Sequence, residues 1–149
     1  MQNQQPNIEN QYKMLVVIWA ALLMSQVMFL VLIFFVKPEA LRFDFGKPFL
    51  GENPTMVVLL AFLGITTFLL SFVMKKKLLE RAAANQTPAL VQTAMVVACA
   101  LCEATTLFGL LLVFLSAYQY FFLWFALAVL GMILHFPRRE DLINASYKK

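Results

Sequence analysis

Glu103 is the residue around which chemistry could be built, because it is the one acid in the apolar run 89–115. That run is long enough to cross a hydrocarbon core of ~30 Å at ~1.5 Å per residue, and Glu103 lies near its midpoint. An acid at the centre of a membrane helix costs about 2.5–3.5 kcal/mol. Protonation, a partner on a neighbouring helix or a bound ion must offset that cost. Desolvation disfavours the charged form, so an unpaired Glu103 is expected to be neutral. At 3.6 residues per turn, Gln92, Cys99, Glu103, Thr106 and Leu110 share a face, which is small and mildly polar around the carboxyl. Ser25 and Gln26 form the one polar pair near the middle of the first apolar run, and a buried Gln needs a hydrogen-bond partner. Ser25, Gln26, Glu103 and Thr106 are therefore the candidates for an ion site or an interhelical hydrogen bond. Thr105 and Thr106 can also bond back to their own helix.

The other reactive side chains point elsewhere. Cys99 and Cys102 have C-x-x-C spacing, but redox or metal chemistry there needs water access or further ligands. They read as reduced packing residues. His135, the single histidine, is expected to be solvated at the headgroups. No nucleophile–base pair, metal-ligand cluster or phosphate loop is present, so neither an enzyme nor a cofactor is expected.

The elements that position these residues are membrane helices. Of 149 residues, 62% are hydrophobic and 13% charged, more apolar surface than a soluble domain of this size can bury. Four runs approach or exceed spanning length, at 14–36, 55–74, 89–115 and 118–136. The expected fold is an all-α membrane protein of four transmembrane helices. A polar tail at 1–13 precedes a first hairpin at 14–85, whose exterior loop 37–54 is broken by prolines and glycines. A second hairpin at 86–137 carries Glu103, and a basic tail occupies 138–149. The segment after Arg81 is expected to continue the second helix beyond the membrane, and Pro88 to begin the third. Phe43, Phe45 and Phe49 in the loop, and Tyr118, Tyr120 and Trp124 beyond the third helix, suit the membrane interface.

With both termini in the cytoplasm, nine Lys and Arg lie inside and three outside. The inner set includes Lys75, Lys76, Lys77, Arg81, Arg138 and Arg139, which are expected to meet anionic lipid headgroups. The basic runs are too short for nucleic-acid binding.

The two halves look related. Residues 21–35 align with 100–114, and Ala61-Phe-Leu-Gly64 with Ala128-Val-Leu-Gly131, as a parallel repeat of two hairpins. Met24 then takes the place of Glu103. The Glu103 helix resembles the carboxylate helix of the proteolipid c-subunit of rotary ATP synthases. The resemblance runs through Thr93, Met95, Ala100-Leu101, Glu103-Ala104 and Phe108-Gly109-Leu110, preceded by a polar turn from Arg81 to Pro88. It covers about residues 57–115.

The resemblance implies a homo-oligomeric ring in an energy-coupling membrane, with Glu103 as its proton-carrying carboxylate. Ala104 stands where sodium-binding members place Ser or Thr, which favours the proton. The family's glycine-rich helix is replaced by one with Leu59, Leu60, Phe62, Leu63, Phe68 and Phe72 around a lone Gly64. Wider helix spacing, a wider ring and lipid in its lumen are the expectation. A first or fourth helix lying over Glu103 would keep it from a stator subunit. Three readings follow: a structural c-ring-like assembly, a proton-translocating rotor or channel, and an accessory subunit of a larger membrane complex. The compartment expected is a bacterial cytoplasmic membrane.

Overall fold

The computed structural model describes residues 8–147 apart from Phe43 and Phe45; those two, residues 1–7 and the terminal lysines lie outside the described residues. The described residues form five α-helices: α1 Ile8–Val36, α2 Pro54–Ala84, α3 Ala89–Ser116, α4 Phe122–Leu134 and α5 Arg139–Ser146. Short 3-10 turns stand at Pro38–Leu41 and Gln119–Phe121. Helices α1, α2 and α3 are long and apolar enough to cross a membrane. A fourth span is added if Gln119–Leu134 and α5, bent by 48°, count as one. The described residues thus form an all-helical fold with three to four helices long and apolar enough to cross a membrane.

Local sequence accounts for the helix ends. Asn53 caps α2 by accepting the Met56 N–H (3.4 Å), with Pro54 at the first helical position. At 31 residues, α2 is ~46 Å long, which carries Lys75 to Arg81 past a ~30 Å core. It closes with Gln86 in the left-handed region (φ 53°) and the Thr87 N–H on the Ala82 carbonyl (3.0 Å), a Schellman ending before Pro88.

Three segments differ from expectation. Residues 8–13 are helix, so α1 begins inside the expected tail. Glu9 stabilises that end, pairing with Lys13 (3.9 Å) and with Arg139 of α5 (3.3 Å). The expected basic tail contains α5, which folds back because Leu142 and Ala145 are buried in the cluster with Leu15, Ala82, Val91 and Met95. Loop 37–54 holds a regular turn at Pro38–Leu41 and is clamped by Gln119. The Gln119 amide accepts the Asp44 N–H (3.1 Å) and donates to the Asp44 carbonyl (2.7 Å).

Helix α3 is the centre, flanked by α2 and α4, with α1 crossing α3 and α4. Half of its apolar window is buried, against 11% for α1 and 17% for α2. Helices α1 and α2 pack on each other far less than α3 and α4 do. The long loop between them lets α1 land on a different side of α3 from α2.

Glycine sets the closest approaches. Trp124 of α4 is wedged between α2 and α3, and a Cβ at Gly109 would lie 2.7 Å from the Trp124 Cβ. A Cβ at Gly64 would strike the outer edge of the same indole ring. In lipid, where apolar side chains gain nothing by leaving their surroundings, such close packing holds helices together.

Gly109→Ala is expected to destabilise the protein by about 1–3 kcal/mol through overpacking, despite the better helix former. A denaturation midpoint in detergent equal to or above the parent's would contradict the wedge. Gln119→Ala should remove two hydrogen bonds worth about 0.5–1.5 kcal/mol each. Faster proteolytic cleavage within loop 37–54 is the readout, and an unchanged rate would show that the clamp is not what holds it.

Candidate functional site: a polar turn of α3

One turn of α3 supplies four polar side chains in two pairs. Glu103 and Thr106 face α1, whereas Cys102 and Thr105 face α2. Residues three apart lie on one helix face, and the two pairs are offset by one residue, or ~100° around the axis. The turn therefore reaches two helices that pack little on each other.

Toward α1, the Ser25 hydroxyl is hydrogen-bonded to Glu103 Oε1, and the Thr106 hydroxyl donates to Gln26 Oε1. The four residues named from sequence as one site are thus brought together. Ser25 Oγ also lies 2.6 Å from the Leu22 carbonyl oxygen. One hydroxyl hydrogen cannot fully serve two acceptors. The Ser25 hydrogen is shared between the Leu22 carbonyl and Glu103 Oε1. Gln26 is 2% exposed, and its Nε2 has no partner among the described residues. Turning the amide over would only move the orphan from nitrogen to oxygen. Glu103 itself is half-buried.

Toward α2, the Thr67 and Thr105 hydroxyls lie 3.2 Å apart, and both reach the Gly64 carbonyl, at 3.0 and 3.2 Å. One turn further along, Ser71 repeats the role of Ser25. It bonds back to its own helix at the Phe68 carbonyl (2.6 Å) and meets His135 Nε2 at 2.9 Å and Cys102 Sγ at 3.6 Å. His135 is 1% exposed, which corrects the headgroup placement expected for it. Pro137 and the bend before α5 keep the end of α4 inside the protein, where Ser71 is its partner. Sequence reasoning missed Thr67, Ser71 and Cys102 as partners. Only their small polar character inside apolar runs could have signalled them.

Cys99 and Cys102 are both free and fully buried. A Cβ at Gly131 would lie 2.6 Å from Cys102 Sγ, so the thiol fills the space beside that glycine. Among the described residues, no three of His, Cys, Asp and Glu cluster as a metal site.

The expected headgroup cations divide. Lys76, Lys77, Arg81 and Arg138 are exposed. Lys75 turns inward and donates to the His135 carbonyl (3.2 Å), and Arg139 pairs with Glu9 and stacks over Tyr12 at 4.7 Å. Lys75 is partly buried, whereas Arg139 keeps an exposed side chain beside these partners. Burial pushes the Asp141 carboxyl above its ordinary range, against the pull of Lys75 and Arg138.

Fold and site together define an all-helical chain with three or four helices of membrane-spanning length and apolarity, cross-linked at its middle by polar side chains. Against known protein families, curated proteins and solved structures, the chain has no match.

Replacing Ser25 and Glu103 by Ala, singly and together, should give costs that fall short of additivity. Interhelical hydrogen bonds in membranes average ~0.6 kcal/mol and reach ~1.7. Strictly additive costs in detergent unfolding would mean that the two side chains are uncoupled.

Proposed function

We propose that this protein is a structural subunit, not an enzyme, of an assembly in a bacterial cytoplasmic membrane. In this reading, four-helix subunits with both termini in the cytoplasm form a c-ring-like homo-oligomer, with lipid in its lumen. Glu103 acts there as a link between helices. The observation that carries the reading is the Ser25–Glu103 hydrogen bond, which ties the carboxyl to a helix of its own chain. A carboxyl so tied is not presented on an open rim to a stator. Assembly as a ring is favoured by the separation of α1 and α2, which leaves two unlike apolar faces on different sides of α3. Phe35 on α1 is 76% exposed and Phe62 on α2 is 69% exposed. Contact between unlike faces is heterologous, and heterologous contacts close into rings when the rotation permits.

Proton carriage is the second reading, favoured by the half-burial of Glu103 and by its hydrogen bond with the Ser25 hydroxyl. Imaging of single particles in mild detergent separates the two. The expected result is a closed ring with lipid density inside and Glu103 between helices, together with slow modification of Glu103 by dicyclohexylcarbodiimide. A ring with rapidly modified carboxyls on its outer rim would transfer the role to proton carriage. A monomer or a mixed complex would overturn the ring.

A further inference from the structure

Near the end of the bundle that carries loop 37–54, α2 and α4 part and leave a groove of about 260 Å³. Two contacts involving glycine set its ends. Toward the middle of the bundle, Gly64 admits the ring of Trp124. At the loop end, Gly51 (φ +64°) lets the turn at Pro48–Gly51 sit on Tyr118, where an added Cβ would lie 3.2 Å from the ring. Between them the floor is Val57, Ala61, Tyr118 and Trp124, and the small Ala61 keeps the space open. Val58 and Leu123 form rims that are 56% and 45% exposed, so the groove opens sideways to where the bilayer lies.

We propose that this groove binds one acyl chain of a phospholipid from the leaflet on the loop side. The lining offers almost nothing to water, which needs two to four polar partners to stay in a cavity. The volume suits hydrocarbon, about eight methylenes if each takes the ~30 Å³ share of one liquid water. Depth agrees as well. Directly beyond the groove, across Tyr118 and the Pro48–Gly51 turn, lies a small pocket of about 60 Å³ whose rim includes the polar side chains Lys47, Glu52, Ser116 and Gln119. A phospholipid with its chain in the groove would bring its headgroup to that polar rim. Transfer from bilayer to groove gains nothing from the hydrophobic effect, because lipid tails are already apolar surroundings. The chain is held because an empty groove would leave Trp124 and Ala61 without atoms to pack against on one side. This inference is independent of the ring.

Trp124 is the built-in reporter, since the other tryptophan, Trp19, bonds the Met132 carbonyl (2.8 Å) with residues of the opposite end. The test places the full chain carrying Trp19→Phe in dioleoylphosphatidylcholine vesicles. Increasing fractions of that lipid are replaced by phosphatidylcholine brominated at mid-chain. Contact quenching of Trp124 fluorescence is expected in this background. Adding Ala61→Phe, which fills the groove, should abolish most of it. Leu59→Phe, on a part of α2 outside the groove, should leave it unchanged. Equal quenching with and without Ala61→Phe would overturn the proposal, as would an equal loss with Leu59→Phe. If Trp19→Phe does not fold, the parent and Ala61→Phe are compared with both tryptophans present. Weaker quenching in Ala61→Phe then supports the groove, and equal quenching overturns it.

Discussion

The structure depends on the ability of one turn of α3, Cys102 to Thr106, to hydrogen-bond in two directions at once. Bundles in water are closed by hydrophobic collapse, but in a bilayer the lipid tails compete equally for apolar faces. What remains is close packing and hydrogen bonding. Glu103 and Thr106 hold α1, and Cys102 and Thr105 hold α2. Because α1 and α2 pack little on each other, the turn is the polar joint common to both. Ser25 and Ser71 play matching parts, each anchored to a carbonyl of its own helix three residues back and each meeting a titratable side chain from across the interface. A serine in this arrangement ties a side chain of one helix to the backbone of another.

Close packing contributes through Trp124. Its indole enters where Gly64 and Gly109 have no side chains, bringing α4 against α2 and α3 at one level. The same wedge that closes the bundle there leaves α2 and α4 apart toward the loop, because a ring of fixed size cannot fill both places. The groove follows from the position of the wedge. Gly131 repeats the device toward the other end, where Cys102 and Phe68 occupy its space.

The two ends of the bundle are closed by different means. At the loop end, Gln119 holds the backbone of Asp44 by both ends of its amide, so one side chain fixes a connection otherwise dominated by prolines and glycines. At the other end, α5 covers the bundle with Leu142 and Ala145, and Arg139 joins it to Glu9 and Tyr12 of α1. Lys76, Lys77, Arg81, Arg138 and Arg139 are exposed there, whereas Lys75 turns inward to the His135 carbonyl.

The helical class and three of the four expected apolar spans were legible in the sequence, because crossing a bilayer asks only for length and apolarity, which are properties read along one dimension. Glu103 stood out for the same reason, since a lone carboxyl in such a run has an unavoidable cost. So did the need of Gln26 for a partner. The faces that meet were not legible. The spans are apolar all round, so their periodicity does not tell a face turned to protein from one turned to lipid. The burial of His135, the docking of α5 and the separation of α1 from α2 each depend on groups distant in the chain: Ser71, Leu15 with Ala82, and the open sides of α3. The sequence by itself determined what must be buried in the bilayer and what could not remain there unpaired. Only the tertiary structure decided the pairings, because in lipid they are chosen by shape and hydrogen-bond geometry.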